Sequence, residues 1–362
     1  MQQSTALIWS YLNILTKKRY DVLLQQYNSL DGALESLSPE MLRALGCKEE
    51  TMMTALNRLD DLQNASDYEQ ELARRGITLI SIEDAAYPTM LRTIPDPPIF
   101  LYYKGSLEIL NQPCIGCVGR REMSEYGKRV VAEFIPAFVR AGMVTVSGLA
   151  LGIDTEVARE TLHAGGKTVA IVGHGLADIY PSSNRPLVKQ IIESGGLILS
   201  EYPLDMPGDK YTFPARNRII AGLSSGTIVL EAGEGSGSLI TADLALEYGR
   251  DVFAVPGQIF DPGYAGSHRF ISQAKAKLVS EPQEVLNDLG IVSFATEGKK
   301  TARTFNDAHE QALYTMLTTM PQSVSDLVER AQLDAAVITA KLTMLELSGA
   351  AKNTGNGLWV RL

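Results

Sequence analysis

Two cysteines and two arginines lie close together near residue 115 of this 362-residue chain. Cys114 and Cys117 form a C-x-x-C pair, the spacing of redox dithiols and of half a zinc site. They lie in the apolar run CIGCV, which reads as a strand, so the two side chains point to opposite faces. Because no second C-x-x-C occurs in the sequence, we predict two buried, inert thiols and no metal site.

Arg120 and Arg121 follow this run directly, after Gly119. A helical stretch comes next, with Ser124 as its predicted N-cap. Free backbone N–H groups and the helix dipole favour an anion at such a position. Guanidinium groups match the oxygens of phosphate. We therefore predict that Arg120 and Arg121 bind phosphate.

Two further glycine-rich segments offer backbone and hydroxyl donors. In SGLALGID, Ser147 and Gly148 are candidate phosphate donors, and Asp154 is expected to cap or orient the loop. In EAGEGSGSLITADLALEYG, the candidates are Ser236, Gly237, Ser238 and Thr241. This second segment is neither a Walker A loop nor a dinucleotide-binding G-x-G-x-x-G fingerprint, so the sequence favours neither ATP hydrolysis nor NAD binding.

The segment FPARNRIIAGLS supplies the last basic candidates, Arg216, Asn217 and Arg218. We expect them just before a helical run, where a loop or helix start presents both arginines. Aromatic residues lie between the phosphate-type loops: Tyr126, Tyr180, Tyr202, Tyr211 and Phe213. Aromatic rings stack on unpaired bases while arginines follow the backbone, so this pattern suits a single-stranded polyanion better than one mononucleotide.

These residues need a scaffold, and the chain between residues 72 and 290 supplies one. Short β-branched runs alternate there with helical stretches, which is typical of a parallel sheet with crossover helices. The runs cover residues 114–118, 143–147, 168–172, 197–201, 227–231 and 251–255. Each ends in glycine, proline or small polar residues. Because parallel strands end at one edge, we predict that six loops converge there on a ligand site.

Helical segments flank this region. Residues 1–70 contain two short helices around Gly46, similar to a helix–hairpin–helix, with Ser38 as an N-cap. Residues 291–308 read as a linker, and 309–362 as a winged helix. Residues 301–362 hold five basic and six acidic residues. The second helix of the pair is mostly apolar, so we expect it to contact protein, or another copy, rather than DNA bases.

Bulk composition narrows the class of protein. A net charge of −9 and a pI of about 5.1 argue against indiscriminate nucleic-acid binding but allow a local basic groove. Three cysteines favour a reducing cytoplasm, and four scattered histidines suggest no metal cluster. We expect no membrane span and no secretory signal, because no apolar run is long enough and the N-terminus lacks the basic-then-apolar order.

The motifs together resemble the DNA processing protein A (DprA/Smf) family. The resemblance covers most of residues 75–285 and rests on VGRREMSEYG, VSGLALGID, FPARNRIIAGLS and EAGEGSGSLITA in that order. It implies an α/β fold: an extended Rossmann-like domain between an N-terminal helical domain, SAM-like or helix–hairpin–helix-like, and a C-terminal winged helix. It also implies single-stranded DNA binding, dimerisation and loading of the RecA recombinase in natural transformation, without catalysis or a cofactor.

Some positions depart from the family pattern. The phosphate-gripping arginine falls on Arg121, and the preceding family serine is Arg120 here. The histidine expected after Gly-Ile-Asp is Ala158, and residues 266–275 differ from the usual Gly-x-Asn-x-Leu-Ile segment. The competing interpretations are a phosphoribohydrolase-like enzyme, whose Pro-Gly-Gly-x-Gly-Thr-x-x-Glu motif is incomplete here, and an adaptor acting through the winged helix.

Overall fold

The computed structural model describes residues 1–62, 65–291, 305, 307–318, 321–355 and 357–361. Its contacts divide the chain into two compact units, Met1–Phe294 and Ala295–Leu362, which we describe separately. Most of the predicted linker, residues 292–304 and 306, lies outside the described residues.

The first unit begins with six helices: α1 (Gln3–Leu12), α2 (Lys17–Tyr27), α3 (Leu30–Glu35), α4 (Pro39–Ala44), α5 (Glu49–Asp61) and α6 (Ala65–Arg74). The cap predicted at Ser38 is confirmed, because its hydroxyl accepts a hydrogen bond from the Met41 amide and Pro39 begins the helix. Gly46 then takes a positive φ of 71°, which ends α4. These helices share a core with the sheet, so the predicted boundary at residue 70 stays a prediction.

The large sheet has nine strands: β1 (Thr78–Ser81), β2 (Phe100–Gly105), β3 (Cys114–Gly119), β4 (Val144–Ser147), β5 (Thr168–Ile171), β6 (Leu197–Ser200), β7 (Gly226–Glu231), β8 (Asp251–Ala254) and β9 (Lys277–Leu278). Their order is β1-β2-β6-β5-β4-β3-β7-β8-β9. The strands from β3 to β8 pair in parallel with their neighbours, while β2 pairs antiparallel with β1 and β6. All six predicted strands are confirmed.

Helices cover both faces of this sheet: α7 (Thr89–Arg92), α8 (Glu125–Arg140), α9 (Ile153–His163), α10 (Arg185–Glu193), α11 (Thr212–Leu223), α12 (Gly237–Glu247), α13 (Ala265–Ser272) and α14 (Pro282–Asp288). Residues alternate between two cores along β3. Cys114 and Val118 join one core, and Ile115 and Cys117 join the other.

This alternation confirms the sequence prediction for the two cysteines. Both side chains are buried, and burial raises the pKa of the Cys114 thiol to about 12. Burial also raises the pKa of Cys117, with a further contribution from the charge of Asp154. Thiols held in the protonated form on opposite sides of a sheet are poor nucleophiles and cannot pair with each other.

The second unit is a small winged-helix fold. It comprises α15 (Ala308–Met316), β10 (Gln322–Ser323), α16 (Val324–Ala331), α17 (Ala335–Leu347), β11 (Ala351–Gly355) and β12 (Leu358–Arg361). The last two strands form the predicted hairpin, and β10 completes a three-stranded sheet. Leu313, Leu327, Ile338 and Leu342 form its core, so this unit has an apolar centre of its own.

In neither unit does a described helix combine the length and the apolar character that a membrane crossing requires.

Candidate functional site

An open cleft of about 980 Å³ lies at the carboxyl edge of the parallel strands. The parallel part of the sheet begins at β3, proceeds outward through β4, β5 and β6, and then returns to place β7 on the other side of β3. Such a reversal leaves a crevice where the loops after the two central strands part, and ligands bind there in open α/β sheets. Residues after β3, β4, β6, β7 and β8 line this cleft.

Arg121 forms an exposed basic position at the cleft wall. Its guanidinium lies 5.9 Å from the centre of the Phe213 ring, and this ring lies 5.8 Å from that of Tyr180. Within the described ranges, no carboxylate forms an ion pair with Arg121. A cation without an acidic partner beside two aromatic rings offers both a phosphate contact and a stacking surface.

Arg120 is held at the centre of the cleft by an acidic partner. Its Nη1 lies 3.4 Å from Oε1 of Glu231, a fully buried carboxylate at the end of β7. The same carboxylate accepts hydrogen bonds from the backbone N–H and the hydroxyl of Ser124, both at 3.1 Å. Ser124 in turn caps α8. Glu231 therefore fixes the arginine loop and the start of α8 together, and it partly neutralises Arg120.

Arg216 lies at the base of the cleft and is almost completely buried. Its Nη1 donates to the carbonyl oxygens of Gly148 and Ile171, and its Nε donates to Oδ1 of Asn217 at 2.9 Å. A side chain on Gly148 would collide with this guanidinium, so glycine is required there. Burial lowers the pKa of Arg216, and the negative charge of Asp154 opposes that shift.

Asp154 orients the loop after β4, as the sequence predicts. Its Oδ2 accepts hydrogen bonds from the N–H groups of Gly148 and Ala150, at 3.1 and 3.3 Å. Burial raises the pKa of this carboxyl, and Arg216 opposes the rise. The Gly148 amide is therefore already engaged. Ser147 is engaged as well, because its hydroxyl donates to the Cys117 carbonyl at 2.8 Å. The structure thus gives both residues a role in building the loop.

The start of α12 forms another wall of the cleft. Ser236 is the N-cap, but its hydroxyl pairs with that of Ser238 at 2.7 Å and accepts no capping hydrogen bond. Gly237 and Thr241 line the cleft beside them. The first N–H groups of a helix attract anions, so this wall complements the arginines after β3.

Arg218 lies apart from the cleft. We expected the Arg216–Arg218 segment just before a helix, and this is wrong because α11 begins at Thr212. Inside a helix the two arginines project in different directions. Arg218 pairs with Glu201 at 2.6 Å and with Asp96 at 3.5 Å, and these carboxylates raise its pKa against the effect of burial.

The predicted aromatic residues also divide into those at the cleft or surface and those that support the fold. Tyr180 and Tyr211 are 61% and 71% exposed, and Phe213 lines the cleft. Tyr202 is buried, and its hydroxyl lies 3.4 Å from the Thr212 carbonyl, so it belongs to the core. Tyr126 donates from its hydroxyl to the Pro256 carbonyl at 3.0 Å and supports the loop after β8.

Sequence reasoning missed three contributors to this site. Lys210 is exposed at the cleft, with Nζ 5.0 Å from the Tyr211 ring. Gly263 lets the Arg120 guanidinium approach a position that a Cβ would occupy. Glu231 is the third. The signal for Glu231 was its place as the last residue of a buried strand, where a carboxylate needs a partner.

The fold and the cleft together define a Rossmann-like protein whose switch-point crevice is lined by arginines. A sequence model described as DNA recombination-mediator protein A matches residues 78–290, and one described as the DprA winged helix domain matches 298–357. The chain belongs to the DNA recombination-mediator protein A family, and the predicted resemblance is confirmed.

Named relatives and solved structures support the same family assignment. The chain is 42% identical over 276 residues to DNA processing protein DprA of Streptococcus pneumoniae, covering 75% of this chain and 93% of that protein. It is 43% identical over 211 residues to Protein Smf of Escherichia coli, covering 58% of this chain and 56% of that protein. The X-ray structure of the S. pneumoniae protein has a TM-score of 0.67 at 37% identity, covering 80% and 99%.

A second solved structure carries a description of its ligand. It is DNA processing protein A from Helicobacter pylori, whose description refers to a unique single-stranded DNA binding mode. Its TM-score is 0.53 at 29% identity, and the match covers 59% of this chain and 95% of that one.

Proposed function

We propose that this chain binds single-stranded DNA in the cleft at the carboxyl edge, with the backbone passing Arg121 and the start of α12. The observation that carries the proposal is the Arg121 guanidinium 5.9 Å from the Phe213 ring, in an open cleft. An open groove that pairs cations with aromatic rings accommodates a chain of phosphates and unpaired bases.

The acidic side chains at the cleft do not cancel this attraction. Glu122 lies 3.6 Å from Arg120, and Glu234 lies 3.4 Å from Arg269. Asp209 accepts hydrogen bonds from the N–H groups of Tyr211 and Thr212, which lower its pKa. Arginines therefore compensate Glu122 and Glu234, and Asp209 keeps its charge, whereas Arg121 and Lys210 form no ion pair with a carboxylate among the described residues.

The exposed rings favour a single strand over a duplex. Phe213 lies beside Arg121, and Tyr180 packs against Phe213, so a base can stack there while its phosphate meets the guanidinium. In a duplex the bases are stacked on one another and their faces are not accessible. A strand with free bases uses both features of this site.

The wider role follows from family membership. We infer that the protein protects incoming DNA and helps load the RecA recombinase during natural transformation, as a cytoplasmic homodimer. We further infer that it acts by binding, without turnover, a cofactor or a metal. Arg120, Arg121, Lys210, Arg216 and the Ser236–Ser238 segment form the proposed interface, with Arg216 acting from beneath the surface.

Titration of oligothymidylate against the wild type and Arg121→Ala at several salt concentrations tests the proposal. The variant should bind more weakly, and its slope of log K on log salt should be shallower by about 0.7, the value for one phosphate contact on a single strand. If Arg121→Ala binds with wild-type affinity and slope, single-stranded DNA does not bind in this cleft.

Arg140→Ala is a matched control. Arg140 is an exposed arginine at the other end of α8, roughly 22 Å along the helix from Glu125. Its removal changes the net charge by the same amount, so its slope should equal that of the wild type. Incubation with nucleoside monophosphates, followed by analysis for free base, tests the phosphoribohydrolase alternative in the same preparation, and we expect no release.

A further inference from the structure

Exposed apolar side chains form a rim around the basic cleft. The loops after β4, β5 and β6, the helix after β7 and the loop after β8 each place at least one large apolar side chain in solvent. These residues are Leu151, Tyr180, Tyr211, Ile240, Ile259 and Phe260. Large apolar side chains exposed beside a polar site are candidates for a binding surface.

Phe260 and Ile259 are the extreme members of this rim. They are 92% and 78% exposed, although burying large apolar side chains stabilises a fold. Neither the site nor the core described above uses them. Folding alone therefore gives no reason for two adjacent apolar residues at this position.

The loop that carries Phe260 is held at both ends. At one end, the Pro256 carbonyl accepts from the Tyr126 hydroxyl, and the Gly257 N–H donates to Nε2 of His268 at 3.2 Å. At the other end, Oδ1 of Asp261 accepts from the Gly263 N–H at 2.8 Å. These bonds fix the backbone, so the Phe260 ring projects from an ordered loop.

The same loop joins Phe260 to the cleft. Pro262 and Gly263 line the cleft, and Gly263 adjoins the Arg120 guanidinium. Three residues of chain span at most about 10 Å, so Phe260 lies within that reach of the wall. Phe213 lies beside Gly173, at the end of β5, and β5 is four places from β8 in the sheet. That separation is roughly 19 Å, with the arginine loop between.

We propose that Phe260 is a second base-stacking position, on the side of the cleft away from Phe213, so that bound single-stranded DNA crosses the sheet edge between the two rings. This inference rests on the proposed function and extends it. The phosphates pass the arginine loop in the middle, and a base at each side stacks on a ring. The ligand is a strand long enough to reach both.

Two probes of equal phosphate number separate stacking from charge. One is an oligothymidylate long enough to fill one site, roughly 4–16 nucleotides, and the other is an abasic oligonucleotide of the same length. The wild type should bind the thymidylate more tightly. Phe260→Ala should lose roughly 5- to 150-fold in thymidylate affinity, keep its affinity for the abasic probe, and keep the wild-type salt slope.

Two further substitutions identify the role of the ring. Phe260→Leu keeps an apolar side chain without a π-face, so it should behave like the alanine variant. Phe260→Trp keeps the stacking surface and should retain wild-type affinity. Arg121→Ala should lose affinity for both probes and show the shallower slope, which is the opposite pattern.

Three results would overturn the inference. If Phe260→Ala binds thymidylate as the wild type does while Arg121→Ala is weakened, the second stacking position is absent and the proposed function stands. If Phe260→Ala changes the sedimentation mass and weakens both probes equally, the rim covers a protein interface instead. If the wild type binds neither probe, the proposed function fails as well.

Discussion

The cleft at the sheet edge and helix α17 of the winged helix both carry basic residues, but the carboxylates around those residues differ. In the cleft, Arg121 faces solvent beside an aromatic ring. On α17, the single basic residue Lys341 is held by Asp307 at 2.8 Å and by Glu310 at 3.2 Å. The number of basic residues does not show which region can bind DNA. The positions of the neighbouring carboxylates do, because they decide which basic side chains are already paired.

The exposed surface of α17 sharpens the contrast. Val337, Met344 and Leu347 are 39%, 54% and 79% exposed, and none can donate a hydrogen bond. A helix that reads DNA needs donors directed at base edges and phosphates. The apolar surface of α17 therefore supports the prediction that the winged helix contacts protein or another copy of itself, while the cleft contacts DNA.

The largest effect we expect comes from the charge beneath the cleft. Arg216→Met should lower the free energy of unfolding by about 3–5 kcal/mol, because it leaves the buried carboxylate of Asp154 without its compensating charge. Urea denaturation measures this. The double variant Arg216→Met/Asp154→Asn should recover part of the loss. Equal stability of Arg216→Met and the wild type would mean that the buried pair is not coupled.

Arg218 provides the next test. It lies two residues after Arg216, which lines the cleft, but Arg218 itself does not line it. Arg218→Ala should cost about 2 kcal/mol of folding free energy, since Glu201 loses the hydrogen bonds of a mostly buried ion pair. Its salt slope for oligothymidylate should equal that of the wild type. A slope as shallow as that of Arg121→Ala would place Arg218 in the interface after all.

The smallest effect should come from the winged helix. Lys341→Met should leave DNA affinity and salt slope unchanged between pH 5 and 8, and deletion of residues 300–362 should do the same. The pKa of Asp307 is lowered to about 2 by the Lys341 ammonium and backbone N–H groups. A lowered carboxyl pKa stabilises the fold above the unfolded value of 3.8, and this contribution is lost as the pH falls through 2.

The ion pair is therefore complete throughout that pH range, and Lys341 remains engaged. Fluorescence anisotropy of a labelled oligonucleotide at pH 5, 6, 7 and 8 measures the affinities. A weakened Lys341→Met variant at any of these values would show that this lysine leaves its carboxylates for phosphate, and the contrast with the cleft would be lost.

Much of the scaffold could be read from the sequence because its signals are local. Mostly apolar runs ending in glycine, proline or small polar residues marked the six parallel strands. Ser38 and Ser124 marked two helix starts, where each hydroxyl accepts a hydrogen bond from the amide three residues later. The opposite faces of Cys114 and Cys117 followed from the period of a strand. Parallel strands end at one edge, so the convergence of the loops was predictable too.

The roles of individual polar side chains were not predictable in this way. Ser147 and Gly148 seemed available to a ligand, but one bonds the next strand and the other bonds Asp154. Arg218 resembled Arg216 in sequence, and only the helix start at Thr212 and the position of Glu201 separated them. These partners lie between 6 and 30 residues apart, so no local pattern reports them.

The sequence by itself determined the six parallel strands, the edge where the site forms and the family to which the chain belongs, because these depend on periodicity and motifs within short segments. The tertiary structure alone decided which cations remain accessible. A guanidinium is directed at a ligand or at a carboxylate by whichever groups the fold brings within a few ångströms. Arg121 meets an aromatic ring, whereas Arg218 and Lys341 meet carboxylates.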